Sequence, residues 1–444
     1  MIRHFISLIF VGLASVTVQS GAAQEAPSET MFRNVRIFDG QSDHLSAPTN
    51  VAIKGNVIAA IGPDAKVGSG ATIIDGRGRT LMPGLIDVHV HMTFGALSQT
   101  DLLSPSLTQQ SAEGAAAVQA KAMLLRGFTA VRDMGGPIFS LKAGIDAGKY
   151  QGPRIWPSGA VISQTSGHGD FRLPNERSRR FFSKPARAEE LGATFIADGR
   201  DEVLTATREN LRFGASQIKL MAGGGSSSDY DPIDVTQYLP EELSAAVAAA
   251  EDWGTYVAVH AYTPRAVQRA LEAGVKSIEH GQLMDEAMMK MIADRGAWLS
   301  LQNLPPPLPS DPPDRVEKKM MVREGSDKAW AMARQYHVKL AWGTDFLFRP
   351  QENDQQNAYI LKLKQWFTPA EILKQVTHDN AQLLALSGLR APYQGKLGVV
   401  EVGALADLIL VNGDPIANLD LIADPARSFA TVMKDGRFYK QEGK

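Results

Sequence analysis

Between residues 85 and 343, short apolar segments alternate with longer stretches of helical character, and this alternation leaves few architectures open. The segments 85–91, 129–132, 154–158, 217–221, 256–260, 277–280, 298–301 and 340–343 have the length and β-branched content of strands. The stretches 112–125, 241–253, 264–273, 285–295 and 369–384 carry apolar residues at helical spacing. Glu241 directly follows Pro240, a usual helix start. Strands that alternate with helices pair in parallel, because parallel neighbours need a long crossover. Eight strands, each followed by a helix, match the count that closes a (β/α)8 TIM barrel, so the expected fold class is α/β.

Both chain ends have another texture. Residues 31–38 and 51–61, the latter with a Gly55-Asn56 turn, read as short strands. So do 406–411 and 432–439, the latter with an Asp435-Gly436 turn. Neither end is long enough for a β-domain alone. Together they predict one small β-sandwich, built from residues 24–83 and 391–444 around a barrel at 84–390. The proline-rich stretch 304–313 follows the seventh strand and reads either as a stiff surface loop or as a lid or pocket wall. The charged loop 170–198 is expected to shape the same face, with no role assigned to it.

The first 23 residues read as a cleaved secretory signal. Arg3 and His4 open it, an apolar run covers 5–18, and small residues reach Ala22 and Ala23. An uncleaved anchor is the alternative, but the run is shorter than the roughly 20 residues of a spanning helix. The expectation is export across the inner membrane, to the periplasm, with no membrane association after cleavage. A net charge of -2 with mixed signs gives no basic patch for nucleic acid. The chain has no cysteine, which excludes disulfides, thiolate metal sites and cysteine nucleophiles. A metal could be held only by His, Asp, Glu or a modified Lys.

Those residues recur at the ends of the expected strands, where barrel enzymes place their active sites. On a strand, side chains alternate between faces, so Asp87, His89 and His91 share one side. Lys219 lies in the fourth strand, His260 and His280 close the fifth and sixth, and Asp345 follows the eighth. Ile218 and Leu220 would face the helices, which turns Lys219 inward. A buried ammonium is costly unless paired or neutralised. Lys219 is therefore either ion-paired or converted by carbon dioxide to a carbamate, an anion able to bridge two cations. Asp345 is either a turn cap or a ligand that also accepts a proton from an acidified water.

Taken together, His89-Val90-His91, Lys219, His260, Ile278-Glu279-His280-Gly281 and Gly343-Thr344-Asp345 resemble the amidohydrolase superfamily over nearly the whole mature chain. The nearer resemblance is to the imidazolonepropionase-like group. That group includes dipeptidases of prolidase and Xaa-Arg type and ochratoxin-hydrolysing amidases. The stretches 127–136, 166–170, 214–219 and 403–408 add to it. The resemblance implies two divalent metal ions, zinc by ligand type. His89, His91 and Asp345 would hold one, His260 and His280 the other, and carbamylated Lys219 would bridge them. It also implies that His168 polarises the scissile carbonyl and that Tyr230 contacts the substrate. The bland alternatives are a histidine in a glycine-rich turn and an ordinary loop tyrosine.

The expected activity is hydrolysis of an amide bond, in a dipeptide or N-acyl amino acid, by a hydroxide bridging the metals. Asp345 would carry its proton to the leaving amine. A lactonase, cyclic-imide hydrolase or deaminase on the same scaffold is the first alternative, since fold does not fix substrate. Lys219 counts against a deaminase, which in this architecture generally uses one metal. A non-enzymatic exported metal-binding protein is the second alternative. The sequence leaves the oligomeric state and the side-chain preference open.

Overall fold

The computed structural model of the protein describes residues 28–442, so the signal segment expected at 1–23 lies outside the described residues. The chain begins with five strands, β1 (Glu29–Ile37), β2 (Thr49–Lys54), β3 (Val57–Ile61), β4 (Thr72–Asp75) and β5 (Thr80–Pro83). The central region contributes β6 (Leu85–Val90), β7 (Phe128–Asp133), β8 (Arg154–Pro157), β9 (Val161–Ser163) and β10 (Thr194–Ile196). It continues with β11 (Ile218–Met221), β12 (Val257–Ala261), β13 (Ser277–His280), β14 (Trp298–Leu301) and β15 (Lys339–Trp342). The C-terminal strands are β16 (Leu408–Val411), β17 (Phe429–Lys434) and β18 (Arg437–Gln441).

The protein is α/β with parallel central sheets. One has the order β6-β7-β8, the other β10-β9-β11-β12-β13-β14-β15. All eight expected central strands are present, within a few residues of their expected ends. The additional β9 and β10 are three residues each, too short for a side-chain pattern to reveal. Hydrogen bonds tie the two sheets at two places, one of them the β6 and β15 edges. There the Asp345 amide donates to the His89 carbonyl at 2.8 Å, and the Asn380 side chain bonds Ile86 and Trp342. A second tie joins β8 to the approach to β11, an interior strand of the larger sheet, where the Ser216 amide donates to the Pro157 carbonyl at 2.7 Å.

The outward residues of these strands make the main core. Ile218, Leu220, Val257, Val259, Ile278 and Leu299 are fully buried against helices. The helices follow from their starts. Proline opens Pro240–Asp252 and Pro264–Glu272, and Asp285 caps Glu286–Asp294 by accepting from the Met288 amide at 2.9 Å. The expected helix at 369–384 is not continuous. It passes through a π-turn at Gln375–Asp379 between Pro369–Lys374 and Asn380–Ala385. The wide turn leads directly into Asn380, whose side chain is committed to β6 and β15.

Strands from both chain ends share one eight-stranded sheet, ordered β18-β17-β16-β5-β1-β2-β3, with β4 on β1. The turns at Gly55-Asn56 and Asp435-Gly436 lie side by side, with Asn56 Nδ2 bonded to Asp435 Oδ1 at 3.0 Å. Arg154 of β8 reaches the same place. Its guanidinium bonds Asp407 at 2.9 Å and Asp435 at 2.7 Å, which bolts the end sheet to the central one. Among the described residues no helix is long and apolar enough to cross a membrane.

Candidate metal centre

At the C-terminal ends of the central strands lies a pocket lined by His89, His91, Lys219, His260, His280 and Asp345. All six are buried. Strand alternation brings His89, His91 and Lys219 inward, as their sequence positions require. His280 and Asp345 arrive differently. Both have left-handed backbone, with φ of 81° and 53°, which turns their side chains into the pocket as the strands end. Such strain persists only where the surroundings fix it, and it concentrates at functional sites.

Asp345 Oδ1 is 3.4 Å from His89 Nε2 and 3.3 Å from His91 Nε2, while Oδ2 is 3.9 Å from His280 Nδ1. His89, His280 and Asp345 bring one ligand atom each within 4.8 Å of one another, an arrangement suited to a cation. His260 joins through its ring, 4.5 Å from that of His280 between centroids. Asp345 thus faces both histidine groups, not only the pair on β6.

The far side of three rings is committed elsewhere. His89 Nδ1 pairs with Glu279 at 2.8 Å, His91 Nδ1 with the Gly135 carbonyl at 3.1 Å, and His260 Nε2 with the Gly224 carbonyl at 3.0 Å. Each acceptor fixes a tautomer and leaves the opposite nitrogen as a lone-pair donor toward the centre. His89 Nε2, His280 Nδ1 and Asp345 Oδ1 are buried without a hydrogen-bond partner. Buried polar atoms are rarely left so. Three converging on one point fit a metal ion, and the all-N/O donor set suits zinc.

Burial pushes His89, His260 and His280 well below the ordinary imidazole range, and the nearby Lys219 charge adds to it. They are neutral, as ligands must be. Burial acts to raise Asp345, but His89, His91 and Lys219 outweigh it and keep the carboxyl below its usual value. Burial draws the Lys219 ammonium down to about 8, and Glu279 and Asp345 oppose this through space without a hydrogen bond.

His168 stands in the loop between β9 and β10, stacked on His260 at 4.1 Å. Its Nδ1 lies 2.6 Å from Ser228 Oγ and 3.3 Å from Asp231, and its amide donates to Gln237 Oε1 at 2.7 Å. Nε2 is the edge left for a ligand. The ring also explains Gly225, where a Cβ would fall 2.0 Å from His168 Nδ1. The glycine run after β11 is a bed for this imidazole.

Tyr230 lies apart from these residues. It is 44% exposed and does not line the pocket; its backbone carbonyl accepts from Ser166. The tyrosine in the wall is Tyr262, 5.1 Å from the His280 ring and 3.5 Å by its hydroxyl from Ser226 Oγ. Sequence reasoning missed it, although it follows His260 by two positions and shares its face. Glu279 was also passed over, as the neighbour of a histidine. The rest of the wall is partly aromatic. Phe94, Phe171 and Phe348 pack edge to face or tilted at 5.7–5.9 Å. The proline-rich loop supplies Leu304 and Pro305, which decides for its reading as a pocket wall.

The model of the Amidohydrolase family matches residues 80–439. The ochratoxinase of Aspergillus niger is 29% identical over 407 residues, covering 88% of this chain and 83% of that protein. A prolidase crystallised with N-methylphosphonate-L-proline is 33% identical, with a TM-score of 0.85 over 94% of this chain and 100% of the other. A Xaa-Pro dipeptidase with methionine in its active site is 30% identical, with a TM-score of 0.78 over 93% and 100%. The match spans both the pocket-bearing strands and the end sheet. The chain belongs to the amidohydrolase family and is a hydrolase acting on carbon–nitrogen bonds.

Proposed function

We propose that the protein is an exported, binuclear metal-dependent amidohydrolase that cleaves the amide bond of a dipeptide or N-acyl amino acid. The observation that carries this reading is the convergence of three partnerless buried ligand atoms, on His89, His280 and Asp345, beside an inward Lys219. The relatives named ochratoxinase, prolidase and Xaa-Pro dipeptidase support the substrate class. In this reading the two parallel sheets are arcs of one (β/α)8 barrel at 84–390, and the end sheet is a separate β-sandwich domain from 24–83 and 391–444. The signal at 1–23 directs the protein to the periplasm.

His89, His91 and Asp345 would hold one divalent ion, His260 and His280 the second, and Lys219 as a carbamate would serve both. Bound there, zinc ions would lower the pKa of water and polarise a carbonyl. The remaining chemistry belongs to side chains. The Asp345 carboxylate, kept ionised by its imidazole neighbours, accepts the proton of the attacking water and passes it to the departing amine. His168 presents Nε2 to the carbonyl oxygen. With the Ser228 hydroxyl donating to Nδ1, the ring carries its proton on Nε2. The pocket wall excludes water and holds the substrate's side chains.

The test combines metal analysis with a screen of N-acyl amino acids and dipeptides, phenylalanine amides first because of the aromatic wall. About two divalent ions per chain are expected, with activity lost to chelator and restored by zinc. Full activity after complete metal removal, or hydrolysis of lactones and aminated bases but no amide, would overturn the reading.

A further inference from the structure

Beneath the pocket lies a buried ion pair that the proposed chemistry does not use. Arg132 of β7 and Glu279 of β13 are both fully buried. The guanidinium grips the carboxylate through Nη2, at 2.7 and 2.8 Å from its two oxygens. Its other edges are satisfied by the Val88 carbonyl at 2.6 Å and the Tyr256 hydroxyl at 3.0 Å. The Ser277 hydroxyl donates to Glu279 Oε1 at 2.6 Å. Oε2 faces His89 Nδ1 at 2.8 Å. A buried ion pair is poor economy for stability alone, since apolar residues of similar volume often serve as well. Here every donor and acceptor of the pair is used, and one bond leaves it toward the pocket.

We propose that Arg132 and Glu279 are positioning residues for metal binding: Glu279 holds His89 as the Nδ1–H tautomer with Nε2 toward the centre, and Arg132 fixes Glu279 in place. Three strands, β6, β7 and β13, with Tyr256 just before β12, thereby converge on one imidazole. The carboxylate raises the basicity of His89 as a ligand, and Arg132 prevents that carboxylate from swinging into the pocket to ligate directly. The inference rests on the reading of His89 as a ligand.

Two measurements test it. The first is the nitrogen spectrum of histidine-labelled, metal-free protein, which reports tautomer without any assay of activity. His89 should be a single Nδ1–H form in the native chain and a mixture in Glu279→Gln. The second is zinc affinity by chelator competition. Removing one partner leaves the other buried and unpaired, so the double variant Arg132→Met/Glu279→Gln guards against misfolding. It should keep its cooperative thermal transition and bind zinc roughly 10–100-fold more weakly, the usual loss for a missing outer partner. Glu279→Asp with Arg132 intact should recover part of that affinity. A folded double variant with native zinc affinity, or an unchanged His89 tautomer in Glu279→Gln, would overturn the proposal while leaving the amidohydrolase reading intact. Absence of zinc binding in the native chain would instead sink both.

Discussion

Asp345 shows most clearly how a residue acquires a role through its surroundings. Its left-handed backbone is held by the hydrogen bond from its N–H to the His89 carbonyl, and the carboxylate faces three imidazoles. An aspartate tolerates that φ better than most residues. Asp345→Asn should fold and keep part of its metal, because an amide oxygen still ligates weakly. It cannot accept a proton, so kcat should fall by about 10²–10⁴ while KM moves little. Steady-state titrations with metal content checked would decide this, and near-native turnover would reduce Asp345 to a ligand. At this scale the sequence was informative where parity holds: His89, His91 and Lys219 sit where strand alternation puts them. It was silent on Glu279, because Glu279 and His280 are adjacent yet both point inward. The left-handed φ of His280 breaks the alternation there, and no pattern in the sequence announces it. The glycine run before Tyr230 makes room for the His168 ring.

Among the elements, the proline-rich loop is the one whose structure explains its composition. Asp311 is its anchor. Lys319, in the helix Pro313–Gln335, bonds Asp311 Oδ2 at 2.6 Å, and Arg349 lies 3.7 Å from the same oxygen. The Leu308 amide also donates to it, at 2.7 Å, and Arg349 Nη1 reaches the Pro306 carbonyl at 2.9 Å. The prolines limit the conformations the loop loses on ordering, and the anchor fixes Leu304 and Pro305 against the pocket. Asp311→Ala should free the wall and leave the largely buried Lys319 ammonium unpaired, while Arg349 keeps Glu352 at 3.1 Å. We expect KM to rise several-fold with kcat little changed, and stability to fall by roughly 1–3 kcal/mol. Unchanged KM in a variant that is less stable would show the loop to be scaffold only. The regular strands and helices were legible from apolar spacing and proline starts. The π-turn at Gln375–Asp379 and the three-residue strands β9 and β10 were not, since side-chain pairings far along the chain decide them.

For the molecule as a whole, the pocket sets a pH dependence of stability that can be worked out from opposing groups. In metal-free protein His89, His260 and His280 stay neutral far below the imidazole's ordinary range, chiefly through burial. The unfolded chain protonates them near pH 6.5, so acidification favours unfolding by three protons. Burial raises Asp133 to about 7 and Asp87 to about 6, so near pH 5 the folded state holds two protons that the unfolded state has lost. Among these five groups the difference is three minus two, one net proton on the unfolded side. Stability at that pH should therefore fall as pH falls, by roughly 1 kcal/mol per pH unit. Asp133→Asn deletes one of the opposing protons, because an amide does not titrate. The net difference becomes two, and the acid side of the stability profile should be about twice as steep. Asp133 accepts from the Met92 amide at 2.8 Å, and an asparagine oxygen can keep that bond. Thermal midpoints of the metal-free native and variant proteins between pH 6 and 4.5 would measure both slopes. Equal slopes would mean that Asp133 is already ionised in the fold.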